Sequence, residues 1–132
     1  MGLFELIFDR IAKLNDLQEF SNVNTETVAT LQYMAPEAMS QSVYTTKSDI
    51  YAFSIVAYEI LFERNAFGTL DGFQFIDSVV NKNLRPKLKE GISPDLGILL
   101  TQCWSQIPDE RPTAQEICKK MMKILKKNRK KK

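Results

Sequence analysis

The chain has 132 residues, of which 44% are hydrophobic and 26% are charged, a composition typical of a single globular domain rather than a disordered chain. It contains no histidine, which excludes Ser-His and Cys-His nucleophile pairs and every histidine-based metal site. The formal net charge of +2 conceals an asymmetry, because all 16 acidic residues lie at or before Glu116 while half of the 18 Lys and Arg residues lie in residues 119–132.

The first segment, residues 1–18, has two structural interpretations. Its apolar residues recur at helical spacing, which predicts an amphipathic helix, although residues 3–8 also fit a buried strand. The segment has no charged start, apolar run and cleavage site of a secretory signal. Residues 19–30 are rich in Ser, Thr and Asn and predict a loop. The helical stripe consists of Phe4, Ile7, Ile11 and Leu14.

Two helices are predicted in the next part of the chain. Pro36 suits the first turn of a short helix, and Thr46 is expected to cap a longer one with Asp49 in its first turn. The body of the second helix, Ile50 to Phe62, is apolar nearly all round, which indicates burial on most faces. It contains Glu59 and is too short to cross a bilayer, so no membrane span is expected.

Three further helices follow. Asp71 begins one that carries Phe73 and Phe75. Ser93 is expected to cap the next, with Pro94 at its first position. The capping box Thr113-Ala114-Gln115-Glu116 opens the last helix. Its expected apolar face consists of Ile117, Met121, Ile124 and Leu125. Together these helices predict a mainly α domain, and no convincing strand pattern follows residue 20.

The last predicted segment is a basic tail, residues 127–132. A basic segment on an acidic body is able to bind nucleic acid, an anionic surface or an import receptor. The plain alternative is a solvated helix end that aids solubility. The two cysteines, Cys103 and Cys118, lack metal or redox spacing, which favours reduced thiols in a cytoplasmic protein, with the nucleus as the alternative compartment.

Three segments, in order, resemble the C-lobe of protein kinases. Residues 30–37 (TLQYMAPE) are similar to the end of the activation segment, and residues 47–54 (KSDIYAFS) to the start of the central helix of that lobe. Cys103-Trp104 followed by PDERPT at residues 108–113 is similar to the run between the last two helices. The resemblance covers residues 19–126 and is closest to tyrosine-kinase-like Ser/Thr kinases. It implies an incomplete kinase-like C-lobe, with neither N-lobe nor catalytic loop.

The resemblance assigns structural roles to several residues. Glu37 would pair with Arg111 and tie the activation segment to the last helices. The pair is either buried or exposed, and an exposed pair would contribute little to stability. Asp49 would hold the catalytic-loop backbone, unless it is only a favourable carboxylate at a helix N-terminus. Trp104 is expected in the core. The structural motif consists of Ala35, Pro36, Glu37, Asp49, Trp104 and Arg111.

The family would use ATP and Mg²⁺, but their ligands are not found in this sequence. None of the five glycines has the spacing of a phosphate-binding loop, and a His-Arg-Asp loop is impossible without histidine. Phe8-Asp9-Arg10 stands where the metal-binding Asp-Phe-Gly is expected, and one Asp alone is no magnesium site. We therefore expect no catalytic, cofactor-binding or metal-binding residues and no cofactor.

Three functional hypotheses remain open at this stage. The first is a catalytically inactive pseudokinase module in signalling that binds proteins, including another kinase chain or a second copy of itself. The second is a truncated part of an active Ser/Thr kinase that phosphorylates proteins with ATP, and the third is an unrelated helical scaffold. For the first, the expected partner surface consists of Thr30, Tyr33, Phe73 and Phe75, and the candidate phosphosites are Ser21, Thr25, Thr27 and Thr30.

The central helix raises a packing question. In a complete kinase, other elements cover part of the face of residues 50–62, and leaving that face open would expose a large apolar patch. We expect residues 3–18 to cover it, or two chains to cover each other.

Overall fold

The structure is a computed structural model that describes residues 31–68 and 70–130. These residues form five α-helices and one short 3₁₀ helix, and no strand is found among them, which confirms the mainly helical prediction for this part. The predicted segment 1–18 and the loop 19–30 lie outside the described residues. The helices are α1 (Pro36–Gln41), α2 (Thr46–Phe62), α3 (Gly72–Val80), α4 (Pro94–Cys103), the 3₁₀ helix Pro108–Glu110, and α5 (Ala114–Lys130).

Helix α2 is the central element, and its first turn is closed by side chains. Thr45, not the predicted Thr46, is the N-cap, and its Oγ1 accepts a hydrogen bond from the Lys47 amide at 3.2 Å. The Ser48 hydroxyl accepts one from the Thr45 amide at 3.1 Å, which completes a reciprocal capping box. Two amide donors without helical partners are thereby satisfied, and the helix ends at Phe62 as predicted.

Two groups of buried side chains hold the helices together. In the first, Ala35 and Ala38 of the α1 region pack on Tyr51, Ile55 and Tyr58 of α2, together with Leu100 and Trp104. In the second, Leu99 and Cys103 of α4 pack on Ile117, Met121 and Ile124 of α5. Since α4 contributes to both groups, it joins α5 to the central helix.

The remaining helices start where the sequence predicts, although at α5 only the Thr113 half of the predicted capping box is formed and the Ser93 cap of α4 is not. The Asp71 carboxylate caps α3 by accepting a hydrogen bond from the Gln74 amide at 2.8 Å. The Thr113 hydroxyl accepts one from the Glu116 amide at 3.2 Å at the start of α5. Ser93 occupies the N-cap position of α4 and Pro94 its first position, but the Ser93 side chain makes no capping hydrogen bond.

Helix α5 agrees with its predicted apolar face except at one residue. Ile117, Met121 and Ile124 are buried as expected, but Leu125 is 46% exposed and does not belong to the buried face. The helix continues to Lys130 and so includes the first residues of the basic tail, 127–130. Within the described residues, no helix combines the length and the apolar character needed to cross a bilayer.

Candidate functional site

The predicted ion pair between Glu37 and Arg111 forms, and it is bidentate. Arg111 Nη1 lies 2.7 Å from Glu37 Oε1, and Nη2 lies 2.9 Å from Oε2. The Arg111 side chain is fully inaccessible to solvent and that of Glu37 is 11% exposed. Arg111 also donates to the Lys47 carbonyl at 2.8 Å and the Ser105 carbonyl at 2.9 Å. One guanidinium therefore joins α1, the first turn of α2 and the segment after α4.

The electrostatics of the pair keep Glu37 ionised. Burial alone would raise the pKa of the Glu37 carboxyl, but hydrogen bonds and charge from Arg111, with a hydrogen bond from Ser48 Oγ at 3.0 Å, outweigh it and hold the pKa below its ordinary value. The Glu37 carboxyl is therefore ionised at neutral pH. A buried pair of this kind is costly to break, because removing one partner leaves the other charge unpaired.

A tyrosine lies between two guanidinium groups beside this pair. The guanidinium carbons of Arg85 and Arg111 each lie 5.3 Å from the centre of the Tyr51 ring, within the range of a cation–π contact. Burial raises the pKa of Tyr51 to about 12, although the two guanidinium groups act in the opposite direction. Arg85 in turn donates to the Trp104 carbonyl at 2.7 Å and to Gln106 Oε1 at 2.6 Å.

Sequence reasoning missed the role of Arg85. It treated Arg85-Pro86 only as an interruption between helices, whereas the Arg85 side chain fastens this segment to the end of α4. The acceptor there is a backbone carbonyl, which any residue type provides. The only available signal was a single arginine beside a proline.

The remaining motif residues serve packing, apart from Asp49. Ala35 is 1% exposed and Trp104 is 5% exposed, with the Trp104 ring edge-on to Tyr58 at 6.2 Å. Pro36 is buried at the first position of α1. Asp49 is exposed on the first turn of α2, and its carboxylate makes no hydrogen bond to any residue of the described ranges.

Only part of the predicted partner surface is exposed in the described residues. Phe73 is 84% exposed, but Phe75 is 3% exposed and its ring packs edge-on against Phe67 at 4.9 Å, so including Phe75 in that surface was wrong. Tyr33 is half-buried, and its hydroxyl donates to the carboxylate of Glu59. Thr30 lies outside the described residues, as do the other candidate phosphosites, Ser21, Thr25 and Thr27.

The sequence is similar to known proteins over most of its length. Residues 10–121 match the family described as protein tyrosine and serine/threonine kinase. The chain is 36% identical over 94 residues to the probable serine/threonine-protein kinase drkC of Dictyostelium discoideum, an overlap of 71% of this chain and 13% of that protein. It is 33% identical over 109 residues to the serine/threonine-protein kinase STY17 of Arabidopsis thaliana, covering 83% of this chain and 19% of that protein.

A third relative is the mitogen-activated protein kinase kinase kinase 7 of Drosophila melanogaster, 31% identical over 117 residues, which are 89% of this chain and 17% of that protein. The chain thus spans less than a fifth of each of these three relatives.

Proposed function

This chain belongs to the protein tyrosine and serine/threonine kinase family, and we propose that it acts as a protein-binding pseudokinase module rather than as a phosphotransferase on its own. The relatives are serine/threonine kinases over lengths far greater than the matched region. Similarity alone therefore does not assign protein kinase activity to these 132 residues.

The observation that carries the proposal is the exposure of Phe73 on a fixed helix. Helix α3 is held to the core by Phe75 and Val79, which are 3% and 0% exposed. Phe73, the second residue of the same helix, presents 84% of its surface to solvent. A rigidly presented aromatic side chain gives a large contact area at low conformational cost, which is why aromatic residues dominate binding energy at protein interfaces.

The chemistry of phosphoryl transfer supports the non-catalytic part of the proposal. The reaction depends almost entirely on positioning and electrostatics, which a phosphate cradle, a lysine, a base and metal-holding residues supply together. The sequence carries no histidine and no suitably spaced glycines for such a site. The residues of this chain that match the family motif at Glu37 and Arg111 support the lobe rather than touch a nucleotide.

A capture experiment with three forms of the chain tests the proposal. Proteins bound by the immobilised chain would be compared with those bound by Phe73→Ala and by Ile107→Ala, a control in which another large side chain, 53% exposed, is shortened. We expect a set of proteins that is lost with Phe73→Ala and retained with Ile107→Ala. Identical capture by all three forms would contradict the proposal. Thermal melting should confirm that Phe73→Ala leaves folding unchanged.

A second candidate function is that the chain is part of an active protein Ser/Thr kinase. The observation in its favour is the exposed Asp49 carboxylate, at the position where the family holds the catalytic-loop backbone. Transcript sequencing upstream of the codon for Met1 tests it. An open reading frame encoding a Gly-rich loop and a His-Arg-Asp motif in phase with this chain would establish it, and an in-phase stop codon would reject it.

We propose that the protein resides in the cytoplasm, with the nucleus as the alternative compartment. Both cysteines are free thiols in the structure, Cys103 buried and Cys118 exposed. An exposed free thiol is the expected state in a reducing compartment. Fluorescence microscopy of the tagged chain measures the compartment directly.

A further inference from the structure

The exposed surface of α5 carries two parallel stripes of different chemistry. Positions 118, 122 and 125 are four and three residues apart and share one face of the helix. All three are exposed, with Met122 at 58% and Leu125 at 46%. Positions 119, 123 and 126 have the same spacing one residue further along and are exposed lysines. An apolar stripe of Cys118, Met122 and Leu125 therefore runs beside a basic stripe of Lys119, Lys123 and Lys126.

Two other lysines of α5 are used inside the molecule and do not belong to this surface. Lys120 Nζ donates to Gln102 Oε1 at 2.9 Å, and Lys127 Nζ lies 2.9 Å from Asp95 Oδ2. Both contacts reach α4, and the face of α5 that packs on α4 is set by the buried residues Ile117, Met121 and Ile124. The apolar stripe therefore lies away from α4, whereas Lys123 of the basic stripe borders the groove between α4 and α5.

The charge of this surface is mainly positive, with one carboxylate, Glu116, in the first turn of α5 three residues before Lys119. From Ile117 to Lys132 the sequence has no acidic residue, and the acidic residues lie in the rest of the molecule. A helix with several Lys or Arg residues on an amphipathic surface has the charge and shape that bind anionic lipid headgroups. We propose that α5 is a peripheral membrane-binding element that lies flat on an anionic lipid surface.

The composition of the surface favours lipid over nucleic acid. Residues 117–132 contain no aromatic residue on which a base could stack, and eight of the nine positive charges after Glu116 are lysines rather than arginines. The exposed apolar side chains of Met122 and Leu125 would form no favourable contact with a phosphate backbone. At a bilayer they would enter the boundary between headgroups and acyl chains, while the lysine ammonium groups reach the headgroups.

The proposal concerns α5 and is independent of the partner surface on α3, so the two can fail separately. Binding of the 132-residue chain would be measured by co-sedimentation with vesicles of phosphatidylcholine plus phosphatidylserine, and with vesicles of phosphatidylcholine alone. We expect binding only to the anionic vesicles, and release when the salt concentration is raised, since screening weakens charge attraction. Absence of binding, or equal binding to both kinds of vesicle, would overturn the proposal.

Matched variants locate the binding surface. Changing Lys119, Lys123 and Lys126 together to Gln should weaken partitioning about a hundredfold. Changing Lys82, Lys87 and Lys89 to Gln removes the same charge outside α5 and should leave partitioning within about threefold. Equal losses would show that net charge alone drives the binding and would reject a site on α5. Far-UV circular dichroism confirms that each variant is folded.

Substitutions in the apolar stripe distinguish lipid binding from nucleic-acid binding. Changing Met122 and Leu125 to Gln should weaken vesicle binding about tenfold, because less apolar surface enters the bilayer, and should not affect binding to a DNA duplex. If this variant binds vesicles as the unaltered chain does, while a duplex competes the chain off the vesicles, the surface is a nucleic-acid site and the proposal is wrong.

Discussion

At the scale of single residues, Arg111 makes more contacts than its sequence motif predicted: it pairs with Glu37 and also bonds two backbone carbonyls. The sequence indicated its pairing with Glu37, because those two residues stand in recognisable flanking motifs. It did not indicate the bonds from Arg111 to the carbonyls of Lys47 and Ser105. Backbone acceptors carry no residue signature, so they could be located only once the fold was known.

Replacing Arg111 by Met should be strongly destabilising, because it leaves the Glu37 carboxylate unpaired at a site where only 11% of its side chain is exposed. We expect a loss of about 3–5 kcal/mol in the free energy of unfolding, measured by urea denaturation. Lys82→Met is the matched control, since the Lys82 side chain is 72% exposed in its pair with Asp77. It should cost about 0–1 kcal/mol. Equal effects of the two substitutions would contradict the structural role given to the buried pair.

The pKa of Glu37 predicts how stability depends on acid. Because the pKa is lowered in the folded state from an ordinary value of 4.5, the carboxylate stabilises the fold above that value, and this contribution is lost as the pH falls through the folded-state pKa. Glu37→Gln should therefore be less stable than the unaltered chain at pH 7, and the difference should shrink below pH 4.5. Urea denaturation of both forms across that range measures it. A difference that is constant with pH would show that Glu37 is not an ionised partner.

At the scale of elements, sequence patterns located the helices well and their caps less well. Thr45 and Thr46 both carry a hydroxyl, and each has a side-chain acceptor three residues later, Ser48 and Asp49 respectively. The pattern alone therefore does not decide which of them is the N-cap. Phe73 and Phe75 were assigned to one surface, yet residues two apart on a helix lie on nearly opposite sides. The periodicity of α3 could therefore have predicted that one is exposed and the other buried.

The caps give a prediction for two helices. Thr45→Ala should cost about 1 kcal/mol of unfolding free energy, because the Lys47 amide loses its acceptor. Ser93→Ala should change it by less than about 0.5 kcal/mol, because the Ser93 side chain makes no capping hydrogen bond. Chemical denaturation of both variants gives the comparison. A larger effect at Ser93 than at Thr45 would mean that the helix starts have been assigned wrongly.

At the scale of the whole molecule, the described residues form a kinase-family C-lobe arranged around α2. The order of the helices and the mainly α class were predictable, since long apolar periodic segments and three ordered motifs mark them. The separate packing groups on either side of α4 were not predictable, because periodicity identifies the buried face of a helix but not its neighbour. The proposals at this scale divide the surface into a protein-binding helix, α3, and a lipid-binding helix, α5.

The most direct test of a folded, non-catalytic kinase-family module is thermal melting of the purified chain with and without millimolar Mg-ATP. We predict one cooperative transition at the same temperature in both conditions, because a ligand raises the melting temperature only if it binds the folded state. A clear upward shift with Mg-ATP would contradict the non-catalytic proposal by revealing a nucleotide site. A melt without a cooperative transition would contradict the proposal that these residues fold as a module on their own.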